Sequence, residues 1–143
     1  MNKVLILFYF ASTLFMGCKT NKITQTEVTI LVKTSESWNG TPLPAYATGR
    51  TEITILKIII PPKTSLELHK HSVINAGVLL KGKLTVISVT NDTLYLKAGE
   101  PIIELVNTWH YGKNESNKPA EIIVFYAGVQ GKPITVLQKE DKD

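Results

Sequence analysis

What most constrains the fold of this chain is a succession of short β-branched runs, each cut off by a turn former. No segment after residue 18 keeps a helical period. "TEITILKIII" (51–60) stops at Pro61-Pro62, and proline cannot donate to a sheet ladder. "AGVLLKGKLTVISV" (76–89) carries Gly77 and Gly82, and isolated glycines in a strand pattern mark bends or bulges. "TNDT" (90–93) reads as a hairpin turn with "LYLK" returning from it. "AGEP" (98–101) turns again before "IIELV" (102–106), and "YGKNESNKPA" (111–120) reads as a polar loop. "EIIVFYAG" (121–128) and "PITVLQ" (133–138) close the series, and upstream "EVTILVK" (27–33) alternates like a first strand. Short strands spaced this way predict an antiparallel sandwich or barrel. The 143 residues suit one domain. Residues 34–49, rich in turn formers, are expected to wrap the barrel mouth or an edge.

The N-terminus is a separate unit. Lys3 precedes an apolar run from Val4 to Met16, too short for a helix crossing a hydrocarbon layer of ~30 Å. The one cysteine of the chain, Cys18, follows Gly17 at the end of that run. The segment resembles a bacterial lipoprotein signal, with Phe15 where the usual pattern has leucine. That resemblance implies lipidation at Cys18 and an exported protein, periplasmic or associated with the outer membrane and anchored by its N-terminal lipid. An unlipidated signal and an uncleaved anchor are the alternatives. The expected organisation is a signal over 1–18, a tether and first strand over 19–33, and a β-barrel over 34–143. A lone cysteine excludes a disulfide framework. The formal charge of +4 is scattered, which favours solubility and argues against a nucleic-acid partner.

Only three histidines occur, and two sit together in "LELHKHSVIN" (66–75). On a strand His69 and His71 project to one face, with Asn75 on the same parity. His110, in "NTWHYGKN" (107–114), is the remaining imidazole. Two solvated histidines on an edge strand would have no consequence. An apolar setting turns such a pair inward, where imidazoles need partners and a metal supplies one.

Spacing then adds a resemblance. From Lys63, five residues lead to His69-Lys70-His71, three more to Asn75 and six more to Gly82. From Gly99, five residues lead to Leu105-Val106-Asn107, two more to His110 and three more to Asn114. The pattern resembles the two motifs of the cupin superfamily. Lys63, Asn75, Leu105 and Asn107 stand where those motifs have glycine, glutamate, proline and glycine. The resemblance covers roughly 51–128 and implies an all-β, single-domain cupin, a double-stranded β-helix or jelly-roll barrel. It also implies a divalent metal (Fe, Mn, Ni or Zn) on His69, His71 and His110, with Asn75 in place of the family glutamate. Asn107 for glycine is expected to be mild, because asparagine tolerates a left-handed turn.

Other residues have two readings each. Glu104 shares the parity of His110. It is either an inward carboxylate, acting as substitute ligand, orienting group or catalytic base, or a solvated strand position. Trp38, Tyr46 and Tyr126 are pocket candidates that packing would equally explain. Asn114 is expected to bond across the turn after His110. Fold does not dictate reaction, so three functions stand open. One is a metal-dependent enzyme on a small molecule, with a dioxygenase the most specific form and an isomerase the next. The others are a small-ligand binding module and a degenerate structural cupin, the last as a homodimer.

Overall fold

The computed structural model describes residues 24–138. It is all β, in ten strands. They are β1 (Thr51–Ile60), β2 (Thr64–Ser65), β3 (His69–His71), β4 (Ile74–Lys81), β5 (Lys83–Ser88), β6 (Thr93–Lys97), β7 (Pro101–Ile103), β8 (His110–Asn114), β9 (Ala120–Val129) and β10 (Thr135–Leu137). One sheet runs β1-β9-β4-β7; the other runs β10-β3-β8-β5-β6, with β2 also on β8. All the strand ladders are antiparallel. This is the arrangement of a jelly-roll barrel.

Alternation assigns the inner faces. On β9, Ile122, Val124 and Tyr126 are buried while Ile123 and Phe125 are exposed. On β5, Leu84 and Val86 are buried. These side chains meet Ile60, Leu79, Leu96 and Ile102 in one core.

The bend expected within 76–89 falls at Gly82, which hands the chain from one sheet to the other. Gly82 has φ +78, and a Cβ there would lie 2.7 Å from the Pro119 carbonyl oxygen. Both the conformation and the close approach require glycine. Two non-glycine residues at motif glycine positions take the same left-handed region, Lys63 at φ 56 and Asn107 at φ 56. Lys63 is held there by a bond from its Nζ to the Glu115 carbonyl at 2.7 Å.

Three expectations need correction. "EVTILVK" is not a first strand: residues 27–33 join no ladder, and Val28 is 87% exposed. Alternation marks a segment able to pair, but pairing needs a free strand edge beside it. "YGKNESNKPA" is not all loop, because Tyr111–Asn114 continue β8 beside β5. Its polar residues had masked the alternation, yet Gly112 and Asn114 point inward and are buried. "IIELV" keeps strand form only through Ile103, with the Glu104 N–H adding one last rung in the same register, on the Asn75 carbonyl. Only an isolated parallel bridge from Val106 to His71 follows.

Residues 36–42 do wrap an edge. The Trp38 N–H donates to the Ile103 carbonyl of β7 at 2.9 Å, and the Ser37 hydroxyl donates to the Glu104 carbonyl at 2.9 Å. Cys18 and the apolar run before it lie outside the described residues.

Candidate metal centre

Adjoining strands of one sheet bring the three imidazoles together. His69 lies directly opposite His110 in the β3–β8 register, and His71 follows two residues on. Ring centroids are 4.7 Å apart for His69–His110, 5.0 Å for His71–His110 and 5.1 Å for His69–His71. One ring nitrogen from each can be chosen so that all three lie within 4.8 Å of one another.

The backbone decides which nitrogen faces the centre. His69 Nδ1 lies 2.7 Å from the Glu67 carbonyl, His110 Nδ1 2.8 Å from the Thr108 carbonyl, and His71 Nδ1 3.2 Å from the Ile134 carbonyl. A carbonyl oxygen only accepts, so each Nδ1 carries the proton and donates. Each Nε2 then keeps its lone pair. Thr135 Oγ1 stands 3.2 Å from His71 Nδ1 and adds to that hold.

Burial keeps His71 and His110 neutral. His71 is pulled down to about 3 by desolvation, reinforced by His110 and His69 and only partly opposed by the Ile134 carbonyl. His110, 1% exposed, is pulled down to about 4 by desolvation, against the Thr108 carbonyl. Neutral imidazoles with free Nε2 lone pairs are the form a metal binds.

Glu104 turns inward. Its Oε2 lies 3.5 Å from His110 Nε2, and both atoms are buried without a hydrogen-bond partner. Burial pushes its carboxyl up to about 7, moderated by the Leu105 N–H. With His110 neutral, this contact is no ion pair. A carboxylate oxygen and an imidazole lone pair at this distance are two acceptors facing each other. They require a shared proton or a cation. The donor set therefore fits a divalent ion: three imidazole nitrogens, with a carboxylate beside one of them.

Asn75 is 1% exposed, and its Oδ1 also lacks a partner. Its Nδ2 reaches only the Val73 carbonyl, at 3.4 Å. Its side chain does not line the cavity in front of the imidazoles, whereas that of Glu104 does. Tyr126 lines it too. Its ring centroid is 5.5 Å from that of His71, and burial and Glu104 push its hydroxyl up to about 12 despite the bond to Thr135. The other two pocket candidates are placed elsewhere. Tyr46 is 76% exposed, and Trp38 packs beside β7, away from the imidazoles. Both sit in the wrapping segment, which covers an edge and not the mouth.

Two groups near the site escaped the sequence reading. Ser37 anchors the Glu104 carbonyl, and Thr135 braces His71. Neither lies near its partner in sequence, so no local spacing signals it. Asn114, fully buried, ties the turn after β8. Its Nδ2 donates to the carbonyls of Ile60, Pro61 and Lys118 at 2.9–3.0 Å, and its Oδ1 accepts from the Ser116 N–H.

Residues 56–126 match the Cupin domain family. The chain carries a cupin domain. Among solved structures, this cupin resembles an uncharacterized conserved protein with a double-stranded β-helix domain from Klebsiella pneumoniae. Identity is 16% and the TM-score 0.54, over 81% of this chain and 100% of that one. It also resembles an oxalate oxidase in complex with the substrate analogue glycolate, at 20% identity and a TM-score of 0.51, over 59% of this chain and 45% of the other. A third is a DMSP lyase, at 14% identity and 0.53, over 61% and 44%. The chain spans under half the length of the oxidase and lyase chains, and these likenesses concern fold alone. No match to a curated protein was found.

Proposed function

We propose that this cupin holds a divalent metal ion on the Nε2 atoms of His69, His71 and His110 and binds or transforms a small molecule there. Dioxygenase-type chemistry is the most specific form of the reading. The observation that carries it is the fixed tautomer: three Nδ1 atoms face backbone carbonyls, leaving three Nε2 lone pairs to converge. When bound, the ion supplies Lewis acidity and open coordination positions. The chain's own groups do the rest. Glu104 holds or releases a proton at Oε2 beside His110. Tyr126 stays protonated at neutral pH and can donate. Asn75 contributes no charge.

Metal analysis of the purified protein and of a His69→Ala/His110→Ala double variant tests this reading. The expected outcome is about one equivalent of Fe, Mn, Ni or Zn in the parent and loss in the variant; equal content in both would refute it. Oxygen uptake with catechols, diketones and thiols then separates turnover from binding. A binding module is favoured by one observation: among the described residues, Glu104 is the single carboxylate in contact with an imidazole nitrogen. The reading also includes export and lipidation at Cys18. Mass spectrometry of the membrane fraction tests that part, with a diacylated N-terminal cysteine expected and a free thiol contradicting it. Self-association as a homodimer belongs to the same reading and is checked by light scattering.

A further inference from the structure

The metal reading says what one end of a ligand touches; the cavity says what the other end must be. In front of the imidazoles lies a space of about 460 Å³, within the ~300–1,000 Å³ range of small-molecule sites. Liquid water takes roughly 30 Å³ per molecule, so the space suits a ligand of about ten to fifteen heavy atoms. Its walls away from the imidazoles are aliphatic and come from both sheets: Leu56 and Ile58 of β1, Ile122 and Val124 of β9, and Leu84 and Val86 of β5. Among the described residues, no lysine or arginine lines it, and the charged groups on its lining are both carboxylates, Glu104 deep beside His110 and Glu67 exposed on the rim.

Charge and polarity are thus separated along the cavity. Three imidazoles and the Glu104 carboxylate leave a divalent ion one positive charge, which a singly anionic chelating group would neutralise. At the opposite end no described residue could pair a second charge, and burying one unpaired is costly. Resting on the metal reading above, we infer that the ligand is a two-ended small molecule. One end is a singly anionic oxygen chelator, and the other is an uncharged apolar body seated between Leu56, Ile58, Leu84, Val86, Ile122 and Val124. A second carboxylate reaching that aliphatic end would be left unpaired.

The test uses the mature protein loaded with Co(II), whose visible bands report both the imidazole ligands and any chelator that joins them. Acetohydroxamate, hexanohydroxamate, adipic acid monohydroxamate and oxalate are titrated, and Kd is read from the band shift. Burying a methylene is worth about 0.8 kcal/mol, roughly fourfold in affinity. Lengthening the chain by four methylenes should then tighten binding on the order of 100-fold. The terminal carboxylate of the adipic compound should cancel most of that gain, and oxalate should bind more weakly than hexanohydroxamate. An affinity independent of chain length, or oxalate binding tighter than hexanohydroxamate, overturns the inference while leaving the metal reading intact. Absence of Co(II) bands in the unaltered protein refutes the metal reading itself.

Discussion

Glu104→Gln should stabilise the metal-free protein at alkaline pH and weaken its hold on metal. In the metal-free protein, burial raises the Glu104 carboxyl from 4.5 to about 7. The fold therefore holds this proton more tightly than the unfolded chain does. Its contribution is fully present below pH 4.5 and is lost as pH rises through 7. At 1.36 kcal/mol per pH unit, the loss amounts to about 3 kcal/mol. Glutamine is neutral and nearly the same shape, so the variant should match the parent at pH 4.5 and exceed its stability by about 3 kcal/mol at pH 8. The lowered His71 and His110 act the other way. Their neutral forms favour the fold, so stability is complete above 6.5 and falls as acid charges the unfolded chain first. That limb is common to both proteins. The metal-free parent should be most stable near pH 6.5, and the variant should rise to a plateau above about 6.5. With metal that advantage shrinks. Loss of a carboxylate beside a ligand costs roughly 10–100-fold in affinity, removing about 1.4–2.7 kcal/mol of metal-linked stability. Urea unfolding at pH 4.5, 6 and 8, in chelator and in excess Zn(II), measures all of this. A metal-free variant with the parent's alkaline slope would mean that Glu104 is solvated, and the acceptor-to-acceptor contact with His110 would no longer argue for a cation.

Asn114→Ala should cost about 2 kcal/mol or more, because it leaves the buried Ile60 carbonyl and the part-buried bonds to Pro61 and Lys118 without a donor; urea unfolding of metal-free protein checks it, and a loss under about 1 kcal/mol would contradict the assignment. Gly82→Ala combines a left-handed φ with a 2.7 Å approach to Pro119. It should destabilise by at least about 1–3 kcal/mol, whereas a neutral result would mean that the β4–β5 corner can relax. Asn75→Glu restores the family carboxylate, but because the Asn75 side chain does not line the cavity before the imidazoles, metal affinity in a chelator competition should stay unchanged. A gain of about tenfold would instead place this side chain within the ion's reach.

How much of this was legible beforehand depends on the distance over which each signal acts. The strands of the core were readable because alternation and turn chemistry are local: Pro61-Pro62 ends β1, Gly82 turns the corner, and Asn91 at φ 66 supports the hairpin. The His69–His71 pair was readable because two residues is the strand repeat. His110 joined it through motif spacing, and the register that sets it opposite His69 shows the physical reason that spacing works. Local signals failed where a partner had to be supplied from elsewhere. "EVTILVK" has a strand's alternation but joins no ladder, while Tyr111–Asn114 has a polar composition and two neighbouring strands that impose a ladder on it. Glu104 illustrates the same limit within the site. Its parity left it equally able to face water, and the chain in fact leaves its strand one residue earlier. What turns the carboxylate inward is a pair of backbone anchors, the Asn75 carbonyl on its N–H and the Ser37 hydroxyl on its carbonyl, from segments 29 and 67 residues away. The position where the family motif has a carboxylate is thus the backbone partner of the residue that brings a carboxylate to His110. A change at Asn75 that moved its strand would therefore disturb Glu104 even if its own side chain never met the ion.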